Sequence, residues 1–231
     1  DLLNAKTILV WGANPAISQI QSMHFLLEAR DNGTKLIVID PMLSQTAARA
    51  DQWVPVKSGT DGALAYGMMN YIVEQGWQDM DFLREHSVAP CLVKASDGKF
   101  LRQADLDGKE VSEEDAKNAA TALVMGQDGK TGVFGSISDP VMEGSFEVEG
   151  IAVTTAYSLL LEKIAEYPVD HAAELTGVSA DAIRDLAEQY ACNKPSSIYT
   201  FFGLDHYWNG HWSQSCVTTL AILTGNVGKP G

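Results

Sequence analysis

Apolar residues in this chain follow two rhythms. Thr7-Ile8-Leu9-Val10 is a short unbroken apolar run rich in β-branched residues, the pattern of a buried strand. Gly12 and Asn14-Pro15 then break the run. Ile17, Ile20, Met23, Leu26 and Leu27 follow at helical spacing, Gly33 stops that helix, and Leu36-Ile37-Val38-Ile39 forms a second strand closing on Asp40-Pro41. Trp53-Val54-Pro55-Val56 reads as a third strand whose proline places it at an edge or a strand end. A helix follows, with Leu64, Met68, Tyr71 and Ile72 on one face and Thr60 or Asp61 as its N-cap, ending at Gly76; a short one over Asp79 to His86 comes next.

From about 88 to 150 the pattern changes. Strand-like runs at Cys91-Leu92-Val93 and Gly132-Val133-Phe134 alternate with Asp97-Gly98, Asp107-Gly108 and Asp128-Gly129, each a turn signal. A single helix is expected over 113–123. Helical spacing returns at about 155–166 (Tyr157, Leu160, Leu161, Ile164) and at 170–176, which Gly177 stops. Ser179 caps a third helix with Ile183, Leu186, Ala187 and Tyr190 on its apolar face. Ser197 to Phe202 is a strand closed by Gly203, and Ser213 to Leu223 a last helix. The whole predicts an α/β fold: a Rossmann-like parallel sheet with helices on both faces and a partly β insertion at about 88–150.

In such a fold, Trp11-Gly12, Asp40-Pro41, Ser58-Gly59 and Phe202-Gly203 end strands at one edge of the sheet, where ligands bind. These loops offer amides, Asn, Ser, Thr and Asp, with only Lys57 as a nearby cation, so a pyrophosphate there would rest on N–H groups and helix dipoles. Asp40 and Asp61 suit the N–H groups of a guanine edge or the hydroxyls of a ribose. The turn after the first strand is not G-x-G-x-x-G, and a plain βαβ unit fits the spacing equally well. For Thr60 and Asp61, capping this helix is the commoner role, and holding a ligand at the same helix end is its rival.

The net charge of −14 argues against nucleic acid and anionic lipid as partners. Between Asp105 and Gly150 there are 11 Asp/Glu against 3 Lys, so the bulk of the net negative charge sits in one segment, which reads as a solvated insertion. Cys91, Cys192 and Cys216 are widely spaced with no C-x-x-C pair; they read as buried structural thiols, without a zinc or iron–sulfur set. His206 and His211 lie in an aromatic loop with Tyr207, Trp208 and Trp212, and no third residue completes a metal site with them.

Five strings, in order, carry a resemblance: ILVWGANPAIS from Ile8 to Ser18, VIDPMLSQTAARAD from Val38 to Asp51, KSGTDGAL from Lys57 to Leu64, LTGVSADAIRDLAEQYA from Leu175 to Ala191, and LAILTGNVGKPG from Leu220 to Gly231. With them the chain resembles the molybdopterin oxidoreductases of the dimethyl sulfoxide reductase family, whose molybdenum is held by two molybdopterin guanine dinucleotides. FLREHSVAP (Phe82 to Pro90) and the insertion after it resemble the dimethyl sulfoxide or thiosulfate/polysulfide reductase branch. The resemblance implies one dinucleotide-binding α/β domain, residues 1–231, of the catalytic subunit of a molybdenum-dependent anaerobic reductase. It implies cofactor contacts at Trp11, Gly12, Ala13, Asn14, Pro15 and Ser18; at Asp40, Pro41 and Ser44 near the guanosine; and at Gly59, Thr60 and Asp61. Phe202 and Gly203 match the loop approaching the pterin, and His206 stands where many members carry Gln. The family's cysteine motif for a [4Fe–4S] cluster and its molybdenum ligand do not occur in these 231 residues, so both are expected in the rest of the parent. An iron–sulfur electron-transfer subunit and a membrane anchor subunit are the implied partners, and the periplasm or cell envelope the implied location. The rival readings are a metal-free structural or electron-transfer homologue and a stand-alone nucleotide-binding module.

Overall fold

The computed structural model describes residues 1–231 and resolves into two compact units, Asp1–Asp79 with Ile164–Gly231 and Met80–Lys163. In the first unit the chain starts with β1 (Thr7–Trp11), all five residues buried. One helical turn, α1 (Pro15–Ser18), and α2 (Ile20–Asp31) follow. Then come β2 (Lys35–Ile39), β3 (Gln52–Val54) and α3 (Asp61–Glu74). The expected continuous helix is broken at Gln19, whose φ of −147° and ψ of 67° lie outside the helical region. That break shifts the helical phase. Met23 and Leu26 reach the core, whereas Ile17 and Ile20 are 62% and 68% exposed, contrary to the expected apolar face.

The second unit contains α4 (Met80–His86), β4 (Leu92–Lys94), α5 (Gln103–Leu106), α6 (Glu113–Lys117), β5 (Leu123–Met125), β6 (Thr131–Val133), β7 (Ser145–Val148) and β8 (Ile151–Thr155). It holds an antiparallel β4-β8-β7 sheet and a β5-β6 hairpin. The helix expected over 113–123 is not formed. Asn118 leaves α6 in extended backbone, and its side chain accepts the N–H of Ala120 at 3.0 Å, offering the chain a turn in place of the next helical bond. Leu123, Val124 and Met125 are thereby released to be buried as β5. Cys91 is buried in this unit and Cys216 in the other, but Cys192 is exposed, because it closes its helix on the side facing water.

α7 (Ala156–Ala165) carries the chain back to the first unit. There α8 (Val169–Thr176) ends on left-handed Gly177, and α9 (Ala180–Cys192) starts under the Ser179 hydroxyl, which accepts the N–H of Ala182. β9 (Ser196–Thr200) stops before Phe201 and Phe202, and α10 (Gly210–Leu223) begins three residues earlier than its apolar spacing predicts.

The four strands of this unit are all parallel, in the order β3-β2-β1-β9. Ile8, Val10, Leu36 and Val38 pack on Met23, Leu26 and Ala29 of α2. Leu9, Trp11, Ile37 and Ile39, on the opposite face, are equally inaccessible, and α9 meets β1 on the sheet. Burial on both faces explains why these strands show unbroken apolar runs instead of alternation. α3 lies against α8, α9 and α10; a Cβ on Gly67 would sit 2.5 Å from that of Ala172, so this glycine sets the α3–α8 approach.

Candidate functional site

The chain leaves β1 toward β2 on one side and returns as β9 on the other. This makes the carboxyl ends of β1 and β9 the switch point of the sheet, where the diverging loops leave a crevice. Two glycines make that crevice. Gly12, at φ +59°, donates its N–H to Ile39 O at 3.0 Å and accepts the N–H of Gly203 at 2.9 Å. A Cβ on Gly203 would stand 2.1 Å from Gly12 O, and one on Gly12 would stand 2.3 Å from Leu204 Cδ1. Only two residues without side chains allow these loops to touch.

Beside this contact lies a hollow of ≈ 180 Å³. Gly12, Ala13 and Asn14 form one wall, Asp40 and Pro41 a second, Ser58 and Asp61 a third, and Gly203, His206 and Tyr207 the fourth. Asn14, Asp40 and Asp61 thus share one cavity. The Asn14 side chain is committed internally. Its Oδ1 accepts from Thr46 Oγ1 at 2.7 Å and its Nδ2 donates to Gln45 Oε1 at 3.1 Å, tying the loop after β1 to the loop after β2. Asp40 Oδ1 accepts the N–H of Met42 at 2.8 Å, and its carbonyl accepts Trp53 Nε1 at 2.9 Å. Asp61, only 6% exposed, opens α3; its Oδ1 accepts the indole N–H of Trp11 at 2.8 Å. Asn209, the N-cap of α10, holds the carbonyl of Gly59 at 3.0 Å. The His206 ring stacks on Phe202 at the rim, centroids 6.2 Å apart.

No Lys or Arg lines the hollow. Burial raises the pKa of Asp40, opposed by its bond from Met42. Burial also raises that of Asp61, opposed first by the Trp11 indole and reinforced by the neighbouring charge of Asp40. Two partly desolvated acids facing one cavity make it a strong acceptor for N–H or O–H donors. A phosphate would be repelled from them toward the Gly12–Asn14 turn, where no hydrogen bond within the chain uses the N–H groups of Ala13 and Asn14.

Eight of the residues anticipated from sequence line the hollow: Gly12, Ala13, Asn14, Asp40, Pro41, Asp61, Gly203 and His206. The other seven do not. Trp11 and Pro15 are buried. Ser44 is buried, its Oγ accepting the N–H of Ala47. Ser18 bonds back to Asn14 O, and Thr60 stands at the expected N-cap position of α3, its hydroxyl donating to Lys57 O and making no side-chain cap bond. Gly59 lies one residue from the wall, and Phe202 is 59% exposed outside it. Ser58 and Tyr207 were not anticipated as contacts; each directly neighbours an expected one, Gly59 and His206, and that adjacency was the available signal. No three His, Cys, Asp or Glu come together as a metal-holding set.

The family profile described as molybdopterin oxidoreductase matches residues 1–231. Curated relatives include the dimethylsulfide dehydrogenase subunit alpha of Rhodovulum sulfidophilum, 35% identical over 94% of this chain and 25% of its own length. The perchlorate reductase subunit alpha of Dechloromonas aromatica is 33% identical over 100% of this chain and 28% of its own. Dimethyl sulfoxide reductase DmsA of Escherichia coli is 27% identical over 100% and 23%. The chain therefore spans about a quarter of the length of these relatives. Among solved structures, acetylene hydratase from Pelobacter acetylenicus shares the fold, with a TM-score of 0.64 at 22% identity over 99% of this chain and 22% of that one.

Proposed function

The chain belongs to the molybdopterin oxidoreductase family, within the dimethyl sulfoxide reductase group, and from that premise we propose that its hollow receives the guanosine end of a molybdopterin guanine dinucleotide. The observation that carries this reading is the convergence of Asp40 and Asp61 on one cavity beside the Gly12–Gly203 contact. At ≈ 180 Å³ the cavity is smaller than the roughly 300–1,000 Å³ of sites that enclose a drug-sized ligand, so it takes one end of a dinucleotide. Guanine presents N1–H and amino donors, which two acids without a competing cation accept. The diphosphate lies along the Gly12–Asn14 turn, where a bare backbone permits close approach and amides replace side-chain cations. Phe202 and His206, at the rim, face the pterin end of the cofactor.

When bound, the molybdenum–pterin group supplies the redox chemistry. This chain's residues bind and orient it. The parent, on this reading, is the catalytic subunit of a reductase acting on a small oxo-type acceptor, with a [4Fe–4S] cluster held outside these residues. It works with an iron–sulfur electron-transfer subunit and a membrane anchor at the cell envelope. In support of partner subunits, two of the relatives are themselves named as alpha subunits.

The test is nucleotide analysis of the full-length parent. Acid extraction should release guanine nucleotide in proportion to molybdenum, and Asp40→Ala should lower both. Molybdenum present without guanine nucleotide refutes the dinucleotide, and unchanged content in the variant removes Asp40 from the site.

A further inference from the structure

Trp11 belongs to the WGANP string that led to this site, yet it has no accessible surface and cannot touch a ligand in the hollow. Its indole is a donor with no acceptor function, and a buried indole N–H needs a partner. The partner is Asp61 Oδ1 at 2.8 Å, 50 positions along the chain, on the first residue of α3. Asp61 is itself buried but still lines the cavity. The Trp11 indole, held in β1, bonds one oxygen of this carboxylate, and the backbone N–H groups of Asp61 and Gly59 also bond the group, so its orientation is set by the fold and not by free side-chain rotation, with the indole as the one side-chain contributor. The bond is charge-assisted, between an N–H and an anion, and belongs to the stronger class.

We propose that Trp11 is a positioning residue for guanine selection: it fixes Asp61 so that its second oxygen meets the N1–H of the base. This rests on the guanosine reading above. Adenine carries a lone pair at N1, which the same oxygen repels, so the latch acts on the choice between bases as well as on affinity. A plain structural tie between β1 and α3 would influence both bases equally.

The test uses the full-length parent purified from cells unable to make the cofactor, titrated calorimetrically with GMP and with AMP. Trp11→Phe should weaken GMP binding about tenfold and leave AMP binding unchanged, the loss expected when one charge-assisted bond no longer orients the acid. Asp61→Asn should weaken GMP at least as much. The double variant should be no weaker than Asp61→Asn alone, because the indole acts through the acid. An unchanged GMP-to-AMP ratio in Trp11→Phe, or losses that add in the double variant, overturns the proposal. Should Trp11→Phe fail to fold, 3-benzothienylalanine at position 11 keeps the bicyclic shape without the N–H and must give the same result. Wild-type affinity for GMP in Asp61→Asn, or no GMP binding by the wild type, sinks the guanosine reading itself, whatever Trp11 does.

Discussion

Replacing Gly203 by alanine adds one methyl group where none fits. The new Cβ would stand 2.1 Å from Gly12 O, 2.7 Å from its carbonyl carbon and 2.8 Å from its Cα, all main-chain atoms. No rotamer can relieve this, because the clashing atoms are all backbone, so the loops leaving β1 and β9 must part by about 1 Å even though Gly203 itself is solvent-exposed. Overpacking of this kind costs about 1–3 kcal/mol. The Gly203 N–H bond to Gly12 O, 2.9 Å long, is lost with it, for about 1 kcal/mol more. The sum of about 2–4 kcal/mol corresponds to a fall in Tm of roughly 5–15 °C in a chain of this size. The control is Gly76→Ala. Gly76 has φ +70°, and a Cβ added there would meet nothing within 4 Å, so only the left-handed backbone is penalised, at about 1–2 kcal/mol. Urea unfolding of both variants beside the wild type measures the difference. If Gly203→Ala is no more damaging than Gly76→Ala, the close contact at the switch point does not exist and the cavity it frames loses its wall.

Asp40→Asn keeps an acceptor for the Met42 N–H but removes a charge that burial disfavours. A carboxyl whose folded-state pKa lies above its unfolded value holds its proton more tightly when folded. The wild type therefore loses stability as pH rises through that interval, and the penalty stays constant above it. The variant should be the more stable protein at pH 7, with the gap closing below about pH 4, when wild-type Asp40 is protonated; urea midpoints across pH check the sign, and a less stable variant at pH 7 refutes it. Asn14→Ala removes three side-chain bonds across the two loops, the one from the Thr46 N–H included, and leaves the buried Thr46 hydroxyl without its shortest partner. A loss of about 1–3 kcal/mol is expected, with faster amide exchange at Thr46 than at Val38 in β2; equal protection at the two sites would show that Asn14 does not hold the loops together.

Local chemistry made much of the first unit legible. Ile8 to Val10 and Leu36 to Ile39 are apolar on both faces, so they announce a covered parallel sheet; Gly177 and Ser179 mark a helix end and start because their own backbone and hydroxyl do the capping. Pro55, which has no N–H to give a neighbour, pointed to an edge or a strand end for β3; the strand stops at Val54, just before it, and lies at the edge of the sheet. The course of the chain over 113–123 was not readable, since whether Asn118 bonds to the turn or to solvent depends on whether Leu123 to Met125 find a partner strand.

For the site, residue types in sequence order were sufficient to gather Gly12, Asp40, Asp61 and Gly203 at one sheet edge, because parallel strands joined by helices all end there. Roles within the site came only from the tertiary structure. Strings of letters do not distinguish a tryptophan that touches a ligand from one sealed beneath it, and burial of Trp11 against Asp61 is a property of two segments 50 residues apart. Nor does the sequence say that Gly203 is needed for Gly12 and not for its own turn. That follows from a 2.1 Å clearance between distant parts of the chain, which exists once the sheet has closed around β1.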